Sequence, residues 1–235
     1  LLEQAIDCAA ATGHARVNII GHSQGGLDAR VVASVAPDLV ASVTTIATPH
    51  YGTPIADLVA GASPNDGSVL VDWLVQTLGA PLWDQVGNQT SLAEAMWQMS
   101  SEGIAQFNAM YPDAPGVLYT SVTGRTGLHP GGPDCEPTSP PNPLFISTWD
   151  DTLDTTDALF LIPEAILSDG IFAQDPNDGL VRAVDARWGQ FLGCVPADHI
   201  DEVGHLLGDA PGIGNAWDHL TFYGALVSHL RDQGV

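Results

Sequence analysis

The stretch VNIIGHSQGG, residues Val17–Gly26, decides the fold class. Three of its first four residues, Val17, Ile19 and Ile20, are apolar and β-branched, which predicts a short buried strand. A helical period of apolar residues resumes over Leu27–Val35. Between them, glycines at positions 21 and 25 flank Ser23, the spacing of a serine held on a strained strand-to-helix turn. Glycine lets the neighbouring backbones approach closely, so such a turn would lift the Ser23 hydroxyl above the edge of a sheet.

The segments around this turn predict an α/β fold. Val40–Ala47 reads as the next strand, so strand, turn, helix and strand form one βαβ unit and indicate a mostly parallel sheet with helices on both faces. The other predicted elements are helices over Leu1–Thr12 and Gly214–Leu230, strands over Val117–Gly124 and Gln190–Val195, and a strand or short helix over Ala165–Phe172.

The chain reads as one domain, residues 1–235, with a helical insertion over about 63–112. It carries 28 Asp and Glu against six Arg, for a formal net charge of −22. That charge repels phosphate backbones and excludes a nucleic-acid partner.

No run of eighteen apolar residues occurs, so a transmembrane helix is not expected. The opening LLEQAIDCAAATG reads as a helix, without an initiator Met or signal peptide, so we expect an upstream portion to be missing.

Three cysteines leave the disulfide pairing open, because an odd count imposes no framework. Cys135 and Cys194 lie in loop or strand-end contexts, and a bridge between them is one expectation. Cys8 lies on an apolar helix face and is expected to be buried and free.

A serine nucleophile needs a histidine to take its proton and a carboxylate to orient that histidine. In a fold with this turn, the acid and then the histidine follow the serine in chain order. Asp178 lies in an Asx-rich turn after an apolar segment, with Asp175 and Asp185 as rivals. His199 follows the last predicted strand directly. The other late histidines are His205, His219 and His229.

Several segments together resemble the secreted triacylglycerol lipases of the Pseudomonas and Burkholderia type, within the α/β-hydrolase superfamily. The shared segments are GHSQGG, VASVTTIATPHYGTP, FNAMYP, NDGLV and HIDEVGHLLG, in the same order. The resemblance implies that Ser23 is the nucleophile, Asp178 the acid and His199 the base. It also implies that the Gln24 amide is the second oxyanion donor, and it places the first donor upstream of Leu1.

The resemblance further implies a structural calcium ion near the histidine. Asp201 matches one carboxylate ligand, and Asp154 is our choice for the other, with Asp151 and Asp157 as alternatives. The two backbone-carbonyl positions fall on His205 and Asp209, where the family commonly has other residues. Backbone ligation tolerates that change. The family's disulfide is not matched, because Val181–Arg187 contains no cysteine.

The resemblance implies hydrolysis of fatty-acid esters at an oil–water interface by a secreted enzyme, often with a dedicated foldase as partner. The amphipathic stretch from about Ser63 to Thr90 occupies the position of the family's lid, although an ordinary packed helix would give the same pattern. Two alternatives stay open. One is a non-lipolytic carboxylesterase or polyester depolymerase, and the other is an inactive hydrolase-fold protein that binds an apolar ligand.

Overall fold

The computed structural model describes residues 1–61, 92–127, 132–138, 152–168, 175–204, 215 and 217–235. The chain forms two compact units. The first comprises residues 1–50 and 111–235, and the second comprises residues 51–110.

A parallel four-stranded sheet is the framework of the first unit. Its strands are β1 (Val17–His22), β2 (Val40–Ile46), β3 (Leu118–Gly124) and β4 (Gln190–Val195), and they lie side by side in chain order. The predicted parallel α/β architecture is therefore confirmed. Because parallel strands end at the same edge, the segments that follow all four strands converge there.

Eight α-helices lie in the described residues. They are α1 (Leu2–Thr12), α2 (Gln24–Val35), α3 (Pro54–Gly61), α4 (Leu92–Gln98), α5 (Ser101–Met110), α6 (Leu161–Leu167), α7 (Ala183–Ala186) and α8 (His219–Asp232). Residues 165–167 belong to helix α6, which decides between the two alternatives for the first part of Ala165–Phe172. Helix α8 begins later than predicted, because the Asp218 carboxylate accepts the Thr221 amide at 2.9 Å and caps it.

Apolar side chains from both faces of the sheet form two core clusters. Helix α2 packs on one face, where Val43 and Tyr119 belong to its cluster, and helix α8 packs on the other, where Ile46 and Val122 point. Val43 and Ile46 are three residues apart on β2, and Tyr119 and Val122 are three residues apart on β3. Because side chains alternate along a strand, the two residues on each strand face opposite sides of the sheet. The predicted placement of helices on both faces is confirmed.

The second unit contains helices α3, α4 and α5. The Asp57 carboxylate on α3 accepts hydrogen bonds from the Ser101 amide and hydroxyl, both at 2.7 Å, and so holds the start of α5. The predicted lid stretch, from about Ser63 to Thr90, lies outside the described residues. None of the described helices is long and apolar enough to cross a membrane.

A disulfide joins Cys135 to Cys194, with 5.1 Å between their Cα atoms, as one of the expectations had it. It ties the segment 132–138 to strand β4, beside the hydrogen bond from the Thr138 amide to the Phe191 carbonyl at 2.9 Å. The expectation that Cys8 is buried was wrong: Cys8 is free but exposed. Helix α1 buries only Ala5 and Ala9, and position 8 is turned about 100° away from position 9.

We expect loss of this disulfide to destabilise the fold. The bridge closes a loop between positions 59 residues apart, for which chain entropy predicts a loss of about 4 kcal/mol in the free energy of unfolding. Cys135→Ser with Cys194→Ser should therefore unfold at a clearly lower denaturant concentration than the wild type. Cys8→Ser is the matched control and should not change the midpoint. Equal midpoints for all three proteins would contradict this expectation.

Candidate active site

Ser23 occupies a strained turn between β1 and α2. Its backbone has φ 53° and ψ −130°, in the region that non-glycine residues rarely adopt. Strand β2 holds this conformation: the Ser23 amide donates to the Ile46 carbonyl at 2.8 Å, and the Thr48 hydroxyl donates to the Ser23 carbonyl at 2.8 Å. The half-buried Ser23 side chain is thus fixed at the carboxyl edge of the sheet.

Two glycines of the turn are required sterically. A Cβ at Gly21 would lie 2.5 Å from the Gly25 carbonyl oxygen, and a Cβ at Gly26 would overlap the Thr48 side chain. A Cβ at Gly25 would meet nothing within 4 Å. The predicted close approach of backbones therefore occurs, but it restricts positions 21 and 26 rather than 21 and 25.

Asp178 is held in a tight Asx turn, as its sequence context predicts. Its side chain is fully buried, and its Oδ1 accepts hydrogen bonds from the Leu180 and Val181 amides at 2.8 and 2.7 Å. Gly179 follows with φ 91°, and a Cβ there would collide with Phe160. Because Oδ1 is occupied by backbone donors, Oδ2 is left to face another group.

That group is His199. The distance from His199 Nδ1 to Asp178 Oδ2 is 2.7 Å, and the His199 amide donates to the Asp178 carbonyl at 2.9 Å. His199 follows strand β4 at the carboxyl edge of the sheet. The centroid of its ring lies 4.6 Å from the ring centroid of His22, the residue before Ser23. Among the described residues, the Ser23 hydroxyl makes no hydrogen bond to His199. Such bonds are often long without substrate and tighten when it binds.

The rival acids and bases do not join this pair. Asp175 is exposed, and Asp185 binds the Arg182 guanidinium at 2.6 Å. His219 begins helix α8, and His229 lies buried near the end of that helix. His205 is outside the described residues.

Gln24 is the first residue of helix α2, and its side chain is exposed. The first amides of a helix have no partner within the helix, and the helix dipole places partial positive charge there. The Gln24 amide is therefore suited to stabilise negative charge that develops beside Ser23.

A cluster of three buried carboxylates includes two residues of the segment that follows β4 and carries His199. Asp154, Asp198 and Asp201 each place an oxygen within 4.8 Å of the others. Burial, together with the neighbouring acids, raises the pKa of Asp154 to about 6 and that of Asp198 to about 8. Of the residues predicted from the sequence, Asp154 and Asp201 are thus brought together, whereas Asp151, His205 and Asp209 lie outside the described residues.

Asp198 was not among the sequence-predicted residues. Its Oδ1 accepts the amides of Ile200 and Asp201, each at 3.1 Å, and its Oδ2 accepts the Asp157 amide at 3.3 Å. The signal available in the sequence was the density of acids around the histidine, Asp198-His199-Ile200-Asp201-Glu202. Such a density alone is also typical of a solvated loop.

Comparison with known proteins shows the family of the chain. The family model described as the alpha/beta hydrolase fold matches residues 3–85. A triacylglycerol lipase of Pseudarthrobacter phenanthrenivorans is 34% identical over 96% of this chain and 77% of its own length. One from Burkholderia plantarii is also 34% identical, over 96% of this chain and 69% of its own length.

A solved structure agrees at the level of the fold. The crystal structure of a metagenomic carboxyl esterase superposes with a TM-score of 0.60, at 19% identity, over 93% of this chain and 57% of that one. The parallel sheet and the strained serine turn point to the same superfamily. Because the two triacylglycerol lipases are each 34% identical to it over 96% of its length, the chain belongs to the bacterial triacylglycerol lipases of the α/β-hydrolase superfamily, which are carboxylic ester hydrolases.

Proposed function

We propose that the chain hydrolyses esters of fatty acids, acylglycerols included, through an acyl-enzyme formed on Ser23. The observation that carries the proposal is the buried Asp178–His199 pair, 2.7 Å apart, at the sheet edge where Ser23 occupies its strained turn. A serine, a histidine and a carboxylate presented together in this way are the parts that acyl transfer requires.

Each residue has one role in the proposed reaction. Ser23 Oγ attacks the ester carbonyl while His199 Nε2 takes its proton, and the negative oxygen that forms faces the Gln24 amide. Asp178 holds Nδ1 of His199 and stabilises the imidazolium. The imidazolium then protonates the departing alcohol. Water, deprotonated by His199, releases the fatty acid and restores Ser23.

The fatty-acid substrate is supported by relatives that bear the name triacylglycerol lipase. Secretion, a lid formed by the amphipathic stretch from about Ser63 to Thr90, and dependence on a foldase are part of the same proposal. Their support is the family resemblance together with the amphipathic sequence of that stretch.

The proposed substrate is tested by measuring activity against esters of different acyl chain length. We expect activity on p-nitrophenyl esters from short to long acyl chains and release of oleate from emulsified triolein. Emulsified triolein left intact, with short-chain esters cleaved, would contradict the lipid substrate and indicate the carboxylesterase alternative. Weight loss of a polyester film, without triolein cleavage, would indicate the depolymerase alternative.

We also propose that Asp154, Asp198 and Asp201 form a calcium site that anchors the His199 loop. Buried carboxylate oxygens are the ligands that calcium prefers, and three of them lie within 4.8 Å of one another. Without a cation, their mutual repulsion and burial disfavour the charged forms. A bound calcium ion would neutralise the cluster and keep the loop between β4 and His199 in place.

The calcium proposal predicts a pH-dependent stability. In EDTA, the raised pKa values of about 6 and 8 for Asp154 and Asp198 mean that the folded state holds protons that the unfolded state loses near pH 4. The free energy of unfolding should therefore fall as pH rises from about 4 to about 8. Calcium binds the charged forms, so it should raise the Tm more at pH 8 than at pH 5.

At a hundredfold excess over its Kd, calcium should raise the Tm at pH 8 by about 5–10 °C, as thermal melts would measure. Asp154→Asn with Asp201→Asn should abolish this rise. The exposed Asp28→Asn is the matched control and should keep it. The same Tm for the wild type in calcium and in EDTA at pH 8 would rule out the site.

A further inference from the structure

Two side chains beside Ser23 have no role in the proposed reaction. His22 precedes Ser23, and Glu202 lies in the 3₁₀ turn Asp201–Val203 that follows His199. The distance from His22 Nε2 to Glu202 Oε2 is 3.2 Å, and the His22 ring lies 4.6 Å from the His199 ring. One ring nitrogen of each histidine and one oxygen of Glu202 all lie within 4.8 Å of one another.

Glu202 is built into this position. Its side chain is fully buried, and its carboxylate faces the Gly124 backbone and the His22 ring without a hydrogen bond of good geometry to either. A Cβ at Gly124, the last residue of β3, would overlap Glu202 Oε1 and lie 3.1 Å from the Cβ of Asp178. Glycine at 124 thus leaves room for two neighbouring carboxylates. A buried carboxylate without strong hydrogen bonds is costly unless it is paired or bound to a cation.

The three donors match the ligands of a transition-metal ion. Two imidazole nitrogens and one carboxylate oxygen are a set that zinc binds in enzymes. With metal–ligand bonds of about 2.0–2.1 Å, two ligands of a tetrahedral zinc lie about 3.3 Å apart. The 3.2 Å between His22 and Glu202 has that spacing. The third donor, a ring nitrogen of His199, lies within 4.8 Å of the other two.

The Asp178 contact favours metal binding by His199 as well. Asp178 engages Nδ1 at 2.7 Å, so Nε2 is the nitrogen left for a metal. A carboxylate on the far nitrogen fixes the ring and makes the ligating nitrogen more basic, as in carboxylate–histidine–zinc arrangements. In the proposed reaction, Nε2 is also the nitrogen that takes the proton from Ser23 Oγ. Metal binding and proton transfer would therefore compete for one lone pair.

We propose that His22, His199 and Glu202 form a zinc site, and that Zn²⁺ bound there inhibits ester hydrolysis reversibly by occupying His199. The inhibition, but not the binding, rests on the proposed function, in which His199 is the general base. The neighbouring Asp178 carboxylate adds negative charge that attracts a divalent cation.

Binding is tested without any need for activity. Ser23→Ala, in millimolar calcium to fill the carboxylate cluster, is titrated with Zn²⁺ against a chromogenic chelator. We expect His22→Asn, added to Ser23→Ala, to weaken the zinc affinity about tenfold or more. The exposed His14→Asn is the matched control and should leave the affinity unchanged. Equal affinities in all three proteins would overturn the site.

Inhibition is tested on the full chain with a soluble p-nitrophenyl ester. Zn²⁺ should lower the rate and a chelator should restore it. His22→Asn should raise the half-inhibiting zinc concentration about tenfold or more, relative to its own metal-free rate. Glu202→Gln is the second variant and should act in the same direction, whereas His14→Asn should not.

The outcomes separate the two proposals. An unchanged half-inhibiting concentration in both His22→Asn and Glu202→Gln would overturn zinc inhibition at this site. Zinc bound at His22 without any loss of rate would also overturn it. An enzyme without esterase activity would defeat the proposed function, and the chelator titration of Ser23→Ala would still decide whether the zinc site exists.

Discussion

Replacing Ser23 by alanine should lower kcat for ester hydrolysis by about 10⁵- to 10⁶-fold, because the acyl-enzyme can no longer form. Alanine occupies the strained φ 53° turn about as well as serine, so the fold should be retained. The hydrogen bonds that hold the turn come from backbone groups of residue 23 and do not involve its hydroxyl. The measurement is kcat on p-nitrophenyl butyrate, with circular dichroism to verify folding.

Ser34→Ala is the control for this change. Ser34 lies on the same helix, α2, and is only partly buried, so its loss should leave kcat within about twofold. A folded Ser23→Ala protein with more than a few per cent of wild-type activity would assign the nucleophile to another residue.

Replacing His199 by asparagine should cost a similar factor, about 10⁵- to 10⁶-fold in kcat, because His199 is the base that Asp178 orients at the sheet edge where Ser23 lies. Asparagine keeps a donor for Asp178 Oδ2 but cannot accept and return a proton at neutral pH. KM should change much less than kcat, because the imidazole acts in the chemical step.

His219→Asn is the matched control, since His219 is a rival base from the sequence that lies on helix α8. Its replacement should leave kcat nearly unchanged. If His219→Asn lost activity and His199→Asn kept it, the assignment of the base would have to be reversed.

The fold and the candidate catalytic residues were largely predictable, because local patterns determine them. A β-branched run, a glycine-flanked serine and a helical period placed Ser23 on the turn between β1 and α2. The Asx turn placed Asp178, and the end of β4 placed His199, since the carboxyl ends of parallel strands share one edge. The position of His199 directly after the last predicted strand distinguished it from the histidines of helix α8.

Features that depend on tertiary packing were not predictable. The steric role of Gly26 depends on Thr48, which β2 brings beside the turn, and the open space at Gly25 leaves no trace in the sequence. Asp198 and Glu202 looked like solvated acids of a loop, yet both are fully buried. The exposure of Cys8 depends on which face of α1 packs, and its apolar neighbours pointed to the wrong one.

Covalent labelling by a fluorophosphonate tests most directly whether the Asp178–His199 pair activates Ser23. After digestion and mass spectrometry, the label should lie on the peptide that contains Ser23, and His199→Asn should slow labelling at least about a thousandfold. Labelling of another serine, or of Ser23 at the same rate with and without the imidazole, would contradict the account.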